Sequence, residues 1–264
     1  MNIAIIDCDS LVFTIIHPNK QLDENGNPMR TEDNKRFLYV EKTQEEIIKC
    51  ADDLMESVLT KGEFSHYIGF IKGANTIKSR KDVNPEYKSN RNKEQPKWWP
   101  FTKDYLISNW GVIPVDNIEV DDAVNITRLN IKDSHIVAID KDELNLEGYH
   151  YNWSRNEWCI MSKDDALYSF WKDMITGQSG DNIKGCPGIG KANEIFTKHL
   201  FKPTPMYVLE LYIKVFKDEQ LAITEFNKNY QCLKILDKYK GFVIPEAIEF
   251  KRKDVNKKIT EEWE

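Results

Sequence analysis

Acidic residues recur at the ends of the apolar segments of this 264-residue chain, where they could hold divalent cations. Four positions carry them: Asp7 and Asp9; Glu119, Asp121 and Asp122; Asp140 and Asp142; and Asp181. A single aspartate of this kind is most often a surface acid or a helix cap. These acids, however, follow consecutive predicted elements, and the carboxyl ends of parallel strands form the ligand-binding edge of a sheet. We therefore expect the side chains to converge.

Convergence of these acids predicts a metal centre. Like charges packed together are costly without a compensating cation. Carboxylate oxygens are hard ligands, so they select Mg²⁺ or Mn²⁺ rather than zinc. Two such ions about 4 Å apart can activate water and stabilise the leaving oxygen in phosphodiester hydrolysis. The acids alone thus predict a metal-dependent phosphodiesterase.

A basic segment follows the second predicted strand. Residues 72–103 hold nine lysines and arginines against three acids, although the whole chain has a net charge of −6. Such a segment can hold phosphates while an acidic surface holds cations, or it can be a solvated charged loop. Within it, Lys88 and Arg91 stand three residues apart, which predicts one helical face. A plain pair of surface cations is the alternative.

A glycine-rich stretch occupies residues 177–190 and precedes a segment with helical apolar spacing. Its end, Gly188-Ile189-Gly190-Lys191, can point backbone N–H groups at a phosphate from the start of a helix. Helix–hairpin–helix elements grip DNA backbone in this way without reading base sequence. The alternative is an ordinary turn between helices.

Alternation of strand and helix in the first half predicts an α/β fold with a parallel sheet, and the second half is predicted to be helical. The capping-box pair Thr43 and Glu46 marks one helix start. Strands are expected at 2–7, 66–71, 111–114 and 135–139. Helices are expected at 43–60, 102–109, 119–129, 163–176, 190–200, 204–217 and 218–238.

Composition narrows the class of protein further. No apolar run reaches membrane-spanning length, and the N-terminus lacks the basic start and cleavage site of a signal peptide. The five cysteines are scattered and form no CxxC pair, which favours a reduced compartment and no structural zinc. A cytoplasmic protein without membrane partners is expected.

Taken together, these motifs resemble those of the 5′-nuclease (flap endonuclease) superfamily, especially the bacteriophage 5′–3′ exonucleases and the nuclease domain joined to bacterial family A DNA polymerases. The resemblance covers roughly residues 1–200. The matching motifs, in order, are Asp7, the Tyr-Lys-x-x-Arg run at 87–91, the Glu-x-Asp-Asp run at 119–122, Asp140 with Asp142, and the glycine-rich stretch 177–190.

The resemblance implies a twisted, mainly parallel sheet flanked by helices, a PIN-like 5′-nuclease core. That core would span residues 1–160 and include a basic arch or clamp at about 72–105. Residues 161–264 would form a helical DNA-binding subdomain, with a helix–three-turn–helix element at about 170–200.

The resemblance also implies roles for single residues. Two Mg²⁺ or Mn²⁺ sites would be held by Asp7, Glu119, Asp121, Asp122, Asp140, Asp142 and Asp181. Lys88 and Arg91 would contact the scissile phosphate and, with Asp7 and Asp122, form the catalytic set. Tyr87 would stack on a base near the 5′ end. Gly188, Ile189, Gly190 and Lys191 would contact DNA, and the loop around them would hold K⁺ if it acts as in relatives.

The implied substrate is DNA with a 5′ end, a flap or a nick, and RNA in RNA–DNA hybrids is a further candidate. The implied setting is phage-type replication or repair in the cytoplasm of a bacterial host, by a monomer. Because no polymerase domain follows residue 264, a polymerase or single-strand-binding protein would act in trans.

Three departures from the family pattern leave alternatives open. No acid lies at Lys72-Gly73, where many relatives carry one, and Gln178 replaces the first of two aspartates, so the completeness of the second metal site is open. The Gly-Ile-Gly-Lys run is one residue short, which leaves the match of Lys191 open. The alternative functions are a DNA-binding protein with weakened catalysis and a PIN-type ribonuclease.

Overall fold

The structure is a computed structural model that describes residues 2–91, 94–139, 144–196 and 203–251. Its strands are β1 (Ile3–Asp7), β2 (Asn19–Lys20), β3 (Tyr39–Val40), β4 (His66–Lys72), β5 (Ile113–Val115), β6 (Ser134–Val137), β7 (Gly148–Asn152), β8 (Glu157–Met161) and β9 (Ile248–Glu249). Its α-helices are α1 (Asp9–Ile16), α2 (Gln44–Lys61), α3 (Lys78–Val83), α4 (Trp99–Trp110), α5 (Val120–Asn130), α6 (Lys163–Thr176), α7 (Pro205–Phe216) and α8 (Glu219–Leu233).

One mixed sheet with β1 at its centre organises the first half of the chain. The strand order is β5-β4-β1-β6-β7-β8, and β9 pairs with the start of β4. The pairs from β5 through β7 are parallel, whereas β8 and β9 are antiparallel additions. Residues 3–6 of β1 are fully buried, as expected for a strand covered on both faces. The carboxyl ends of β1 and β4 lie side by side, with Asp7 in register with Phe70.

Helices cover both faces of this sheet. One face packs against α1, α2 and α4, in a core that contains Ile15, Met55 and Leu106. The other face packs against α5 and the segment that follows α8, through Val124 and Ile235. A third core joins α6, α7 and α8. Among the described residues, no helix combines the length and apolar character needed to cross a bilayer.

The α/β fold class and most of the expected elements are confirmed. The helix expected at 163–176 has the expected bounds, and Thr43 and Glu46 form the expected capping box at the start of α2. Several elements were not expected: the helices α1 and α3, the short strands β2, β3 and β9, and the β7–β8 hairpin, whose outer strand exposes Trp158 and Ile160.

Two helix predictions in the second half were wrong in extent. The helix expected at 190–200 is a turn followed by the short 3₁₀ helix Glu194–Phe196 over its described part, and 197–200 lie outside the described residues. The helix expected at 218–238 ends at Leu233, because the chain then turns extended at Lys234 (φ −69°, ψ 116°) and packs against α5. The division at residue 160 stays a prediction.

Replacing Thr43 with alanine removes the oxygen that accepts a hydrogen bond from the Glu46 N–H at 3.3 Å. We expect the free energy of unfolding to fall by about 1 kcal/mol in a urea titration. Thr43→Ser keeps the oxygen, and Gln44→Ala alters an exposed neighbour without touching the cap. Equal stability of Thr43→Ala and Thr43→Ser would contradict the role of this cap.

Candidate functional site

A cavity of about 630 Å³ opens at the carboxyl end of β1. Its walls carry five carboxylates and two cations, the constellation expected from the sequence. The charged residues that line it are Asp7, Asp9, Glu119, Asp121, Asp181, Lys88 and Arg91. Acids from three separated stretches of the chain therefore do converge on one cavity.

The β1–α1 junction supplies the first two acids. Asp7 is the last residue of β1, and its Oδ1 accepts a hydrogen bond from the Asp9 N–H at 2.9 Å. Asp9 opens α1, and its own Oδ1 accepts from the Lys72 N–H at 2.9 Å, at the end of β4. Burial raises the pKa of Asp9 above its ordinary value. Both carboxylates are therefore fixed by backbone donors at the same edge of the sheet.

The start of α5 supplies the next acids. Glu119 precedes the helix, and its N–H donates to Asp122 Oδ2 at 3.1 Å. Asp121 lines the cavity, and its Oδ1 accepts from the Asp122 N–H at 2.9 Å. Burial, together with the charges of Asp122 and Glu119, raises the pKa of Asp121 well above its ordinary value. Arg80 and Lys88 oppose this rise only in part, so a bound cation would further stabilise the charged form of Asp121.

Arg80 is the residue of this site that the sequence analysis missed. Its side chain is buried on α3, and Nη1 lies 2.8 Å from both Glu119 Oε2 and Asp122 Oδ2. Nη2 donates to Asp122 Oδ1 at 2.8 Å. Burial alone would lower the pKa of Arg80, but Glu119 and Asp122 raise it above the ordinary value. Nothing in the sequence separates Arg80 from the eight other cations of the basic segment.

Arg80 also fixes Asp122 away from the cavity. Asp122 is 1% exposed, and its Oδ1 accepts a further hydrogen bond from the Leu236 N–H at 2.9 Å. The Arg80 guanidinium donates in turn to the carbonyl oxygens of Cys232 and Lys234, at 3.0 and 3.1 Å. The predicted role of Asp122 as a metal ligand stays a prediction. Its contacts here are those of a residue that positions Arg80 and the start of α5.

Tyr87 does not have the role that was expected of it. Its ring is 1% exposed and packs in the core of the second-half helices, so it is not available to stack on a base. Its hydroxyl donates to Glu119 Oε2 at 2.7 Å and lies 2.9 Å from Asp181 Oδ2. Tyr87 therefore positions two cavity carboxylates.

Lys88 and Arg91 reach the cavity, but not from a helix. Residues 85–91 form consecutive turns, and Lys88 has a φ of 53°, which corrects the expectation of one helical face. The Lys88 N–H donates to the Asp181 carbonyl at 3.0 Å, and the Asn182 side chain donates to Glu86 O at 2.9 Å. These contacts attach the turns to the short helix Ser179–Asp181.

The two cations pair with the acids of the cavity. Lys88 Nζ contacts Glu119 Oε1 and lies 3.6 Å from Asp181 Oδ2, while Arg91 Nη2 is 2.5 Å from Asp181 Oδ1. Burial would raise the pKa of Glu119, but Lys88 and Arg80 hold it below the ordinary value. The Arg91 side chain is 54% exposed, so it can leave Asp181 for a phosphate at little desolvation cost.

The donor set fits a hard divalent cation, because five carboxylate side chains line the cavity. Within the described residues, however, no three acids are already grouped closely enough to hold one ion. The Lys88 ammonium lies between Glu119 and Asp181 instead. Asp140 and Asp142, both predicted ligands, lie outside the described residues.

The glycine-rich stretch forms a tight loop beside the cavity. Gly177 and Gly185 approach so closely that a Cβ on either would lie 2.2–2.3 Å from backbone atoms of the other strand of the loop. Gln178 donates to Asp173 Oδ2 at 2.9 Å, so its amide supports the loop. The tip is open: Gly188, Gly190 and Lys191 are exposed and Ile189 is half-buried. No α-helix begins over the described residues 190–196, so the expected helix N-terminus is not seen there.

No family model and no curated protein sequence matches this chain. The fold is nevertheless shared with solved structures of a flap endonuclease and a 5′-exonuclease, as the resemblance predicted, and these structures match most of the chain. A flap endonuclease of bacteriophage T5, in a pseudo-enzyme–product complex with DNA and metal ions, is 16% identical, with a TM-score of 0.60 over 90% of this chain and 89% of that one.

Two further structures show the same likeness. The T5 5′-exonuclease with bound zinc is 16% identical, with a TM-score of 0.55 over 88% of this chain and 91% of that one. The catalytic core of Rad2 in complex with DNA substrate is 12% identical, with a TM-score of 0.50 over 86% of this chain and 71% of that one. Likeness at this level of identity establishes the fold.

Replacing Arg80 with methionine leaves Glu119 and Asp122 buried without their main partner. We expect the free energy of unfolding at neutral pH to fall by about 3–5 kcal/mol, as measured by urea titration. The difference in stability between Arg80→Met and wild type should narrow as the pH falls below the ordinary pKa of glutamate, because Arg80 helps to hold the pKa of Glu119 below that value and a protonated Glu119 no longer needs the guanidinium.

Lys78→Met is the matched control for this substitution, because Lys78 forms an exposed ion pair with Asp82 on the same helix. Exposed pairs of this kind contribute at most about 1 kcal/mol. A loss in Arg80→Met no larger than in Lys78→Met would show that the buried charges do not depend on Arg80.

Proposed function

We propose that this chain is a divalent-metal-dependent 5′-nuclease, which hydrolyses DNA phosphodiester bonds near a 5′ end or at a flap. The observation that carries the proposal is the cavity itself: acids from β1, α1, α5 and the Ser179–Asp181 helix face Lys88 and Arg91 across it. The shared fold with nucleases solved in complex with DNA and metal ions supports it.

Asp7, Glu119, Asp121 and Asp181 would hold Mg²⁺, or Mn²⁺ in its place, with Asp140 and Asp142 as further ligands in this proposal. When bound, such an ion supplies an activated water and stabilises charge on the leaving oxygen. Arg80 and Tyr87 hold Glu119 and Asp181 in place through buried contacts. Asp122 acts indirectly, by keeping Arg80 and the α5 N-terminus together.

Lys88 and Arg91 would bind the scissile phosphate. In the absence of an ion, both pair with acids of the cavity, so their charges are used within the protein. If those acids held a divalent ion, Lys88 and Arg91 would be available to contact phosphate oxygens. Preorganised cations at that position stabilise the negative charge that develops in the transition state.

The open tip at Gly188–Lys191 would contact the DNA backbone, since exposed glycines and a lysine suit phosphate without base readout. The proposal includes K⁺ at this loop and RNA–DNA hybrids as a second substrate. The protein would act as a monomer in phage-type replication or repair in a bacterial cytoplasm. A polymerase or single-strand-binding protein would act in trans.

A 5′-labelled flap substrate tests the activity directly. We expect short labelled products with Mg²⁺ or Mn²⁺ and none with EDTA, because the acids need a divalent ion to activate water. Intact substrate in both metals would overturn the proposal. Faster cleavage of single-stranded RNA than of the DNA flap would favour a PIN-type ribonuclease instead.

Replacing Arg91 with methionine tests the phosphate contact. We expect kcat to fall by about 100-fold or more with flap DNA still bound, because one preorganised charge in the transition state is lost. Lys61→Met is the control, since Lys61 is an exposed cation at the end of α2. Unchanged kcat in Arg91→Met would remove Arg91 from the mechanism.

A DNA-binding protein with weakened catalysis is the second candidate. Two observations favour it: Lys88 fills the space between Glu119 and Asp181, and Gln178 supplies an amide where relatives carry an acid. If wild type and Asp122→Asn both bind flap DNA but show equal, near-zero turnover, the result would favour this second candidate.

A further inference from the structure

Asp9 lines the acidic cavity, and its carboxylate joins α1 to strand β4. It is the first residue of α1, two positions beyond Asp7. Its carboxylate does not turn back to cap its own helix. Instead, Oδ1 accepts a hydrogen bond from the Lys72 N–H, 63 residues further along the chain, at 2.9 Å.

This contact brings a carboxylate to the carboxyl end of β4. Strand β4 ends at Lys72 without an acid of its own, although it lies beside β1, whose end carries Asp7. Asp9 lines the cavity with Asp7, Glu119 and Asp121, and it also lines the adjoining cavity that contains Lys72 and Lys88. The edge of the sheet therefore has a carboxylate at both strand ends, one of them supplied by α1.

We propose that Asp9 is a direct ligand of the divalent ion and supplies, from α1, the carboxylate that the end of β4 lacks. This inference rests on the proposed function, because it concerns the ion of that same site. The Lys72 N–H orients Oδ1, and the Asp9 residue lines the cavity. Ligating carboxylates are commonly fixed in this way by a hydrogen bond from outside the metal's own ligands.

The competing role for Asp9 is structural, as an acceptor that attaches α1 to β4. The two roles differ in what they need from the side chain. An asparagine oxygen can still accept the Lys72 N–H, so Asp9→Asn preserves the structural contact. The same substitution removes the negative charge that a divalent ion needs.

The position of Lys72 offers a second, independent variant. Residue 72 lies two positions after Phe70, so it shares a side of the sheet with Phe70 and with its register partner Asp7. An aspartate at 72 would therefore place a carboxylate on the face where Asp7 and α5 meet. The double variant Asp9→Asn, Lys72→Asp moves the carboxylate from α1 to β4. It should restore the metal affinity that Asp9→Asn removes.

The test is a direct measurement of Mn²⁺ binding to the purified, DNA-free protein by titration calorimetry, with unfolding temperatures measured without metal. We expect Asp9→Asn to weaken Mn²⁺ binding by about 10- to 100-fold or more. Substitution of a residue that only supports a metal ligand already lowers metal affinity by about 10- to 100-fold. The metal-free unfolding temperature should stay at the wild-type value. The double variant Asp9→Asn, Lys72→Asp should regain most of the affinity.

Asp104→Asn is the control, because Asp104 is an exposed acid on α4 outside the cavity. Wild-type affinity in Asp9→Asn would overturn the inference. So would a loss of affinity that comes with a lower metal-free unfolding temperature and is not regained in the double variant. Failure of the wild type itself to bind Mn²⁺ would instead overturn the proposed metal-dependent function, and the two failures are therefore distinguishable.

Discussion

The buried contact of one guanidinium with two carboxylates is the interaction on which the rest of this structure depends. Arg80 reaches Glu119 and Asp122 from α3, and it also binds the carbonyl oxygens of Cys232 and Lys234. The basic segment, the start of α5 and the end of α8 are thereby held together at one point. Two buried acids would repel each other without this partner, because desolvated like charges are costly. Arg80 thus makes an acidic cavity compatible with a stable fold.

Three cations with different degrees of burial compensate the acids around this cavity. Arg80 is buried and its partners are fixed, whereas Arg91 is half exposed and pairs with Asp181 at the rim. Lys88 is intermediate: it is mostly buried and contacts Glu119, yet it lines the open cavity. The buried cation serves the fold, whereas in the proposed function the outer two would exchange their partners for a phosphate. Graded burial would then allow the same acids to be stable in the free protein and also able to bind an ion.

Local patterns predicted much of this arrangement, and contacts between distant residues account for the rest. The acids at the end of β1 and the start of α5 were identified because strand ends and helix starts are marked by short apolar and polar runs. The burial of Tyr87 and the partners of Arg80 were not, since Tyr87 contacts Asp181, 94 residues away, and the partners of Arg80 lie 39 to 154 residues away in the chain. The three-residue spacing of Lys88 and Arg91 suggested a helix, but their geometry comes from the contact of residues 85–91 with Ser179–Asp181. Spacing alone carries no information about such tertiary contacts.

The tie between Asp122 and the segment after α8 has a consequence for how this protein is made. Leu236 donates its N–H to Asp122, and Arg80 needs the carbonyl oxygens of Cys232 and Lys234. While the ribosome has synthesised only strands β1 to β8, these backbone partners do not yet exist, and the acids cannot adopt their final positions. Contacts over such long sequence separations also require the closure of long loops, which slows their formation. The acidic cavity of a nascent chain would therefore stay incomplete until synthesis has passed α8.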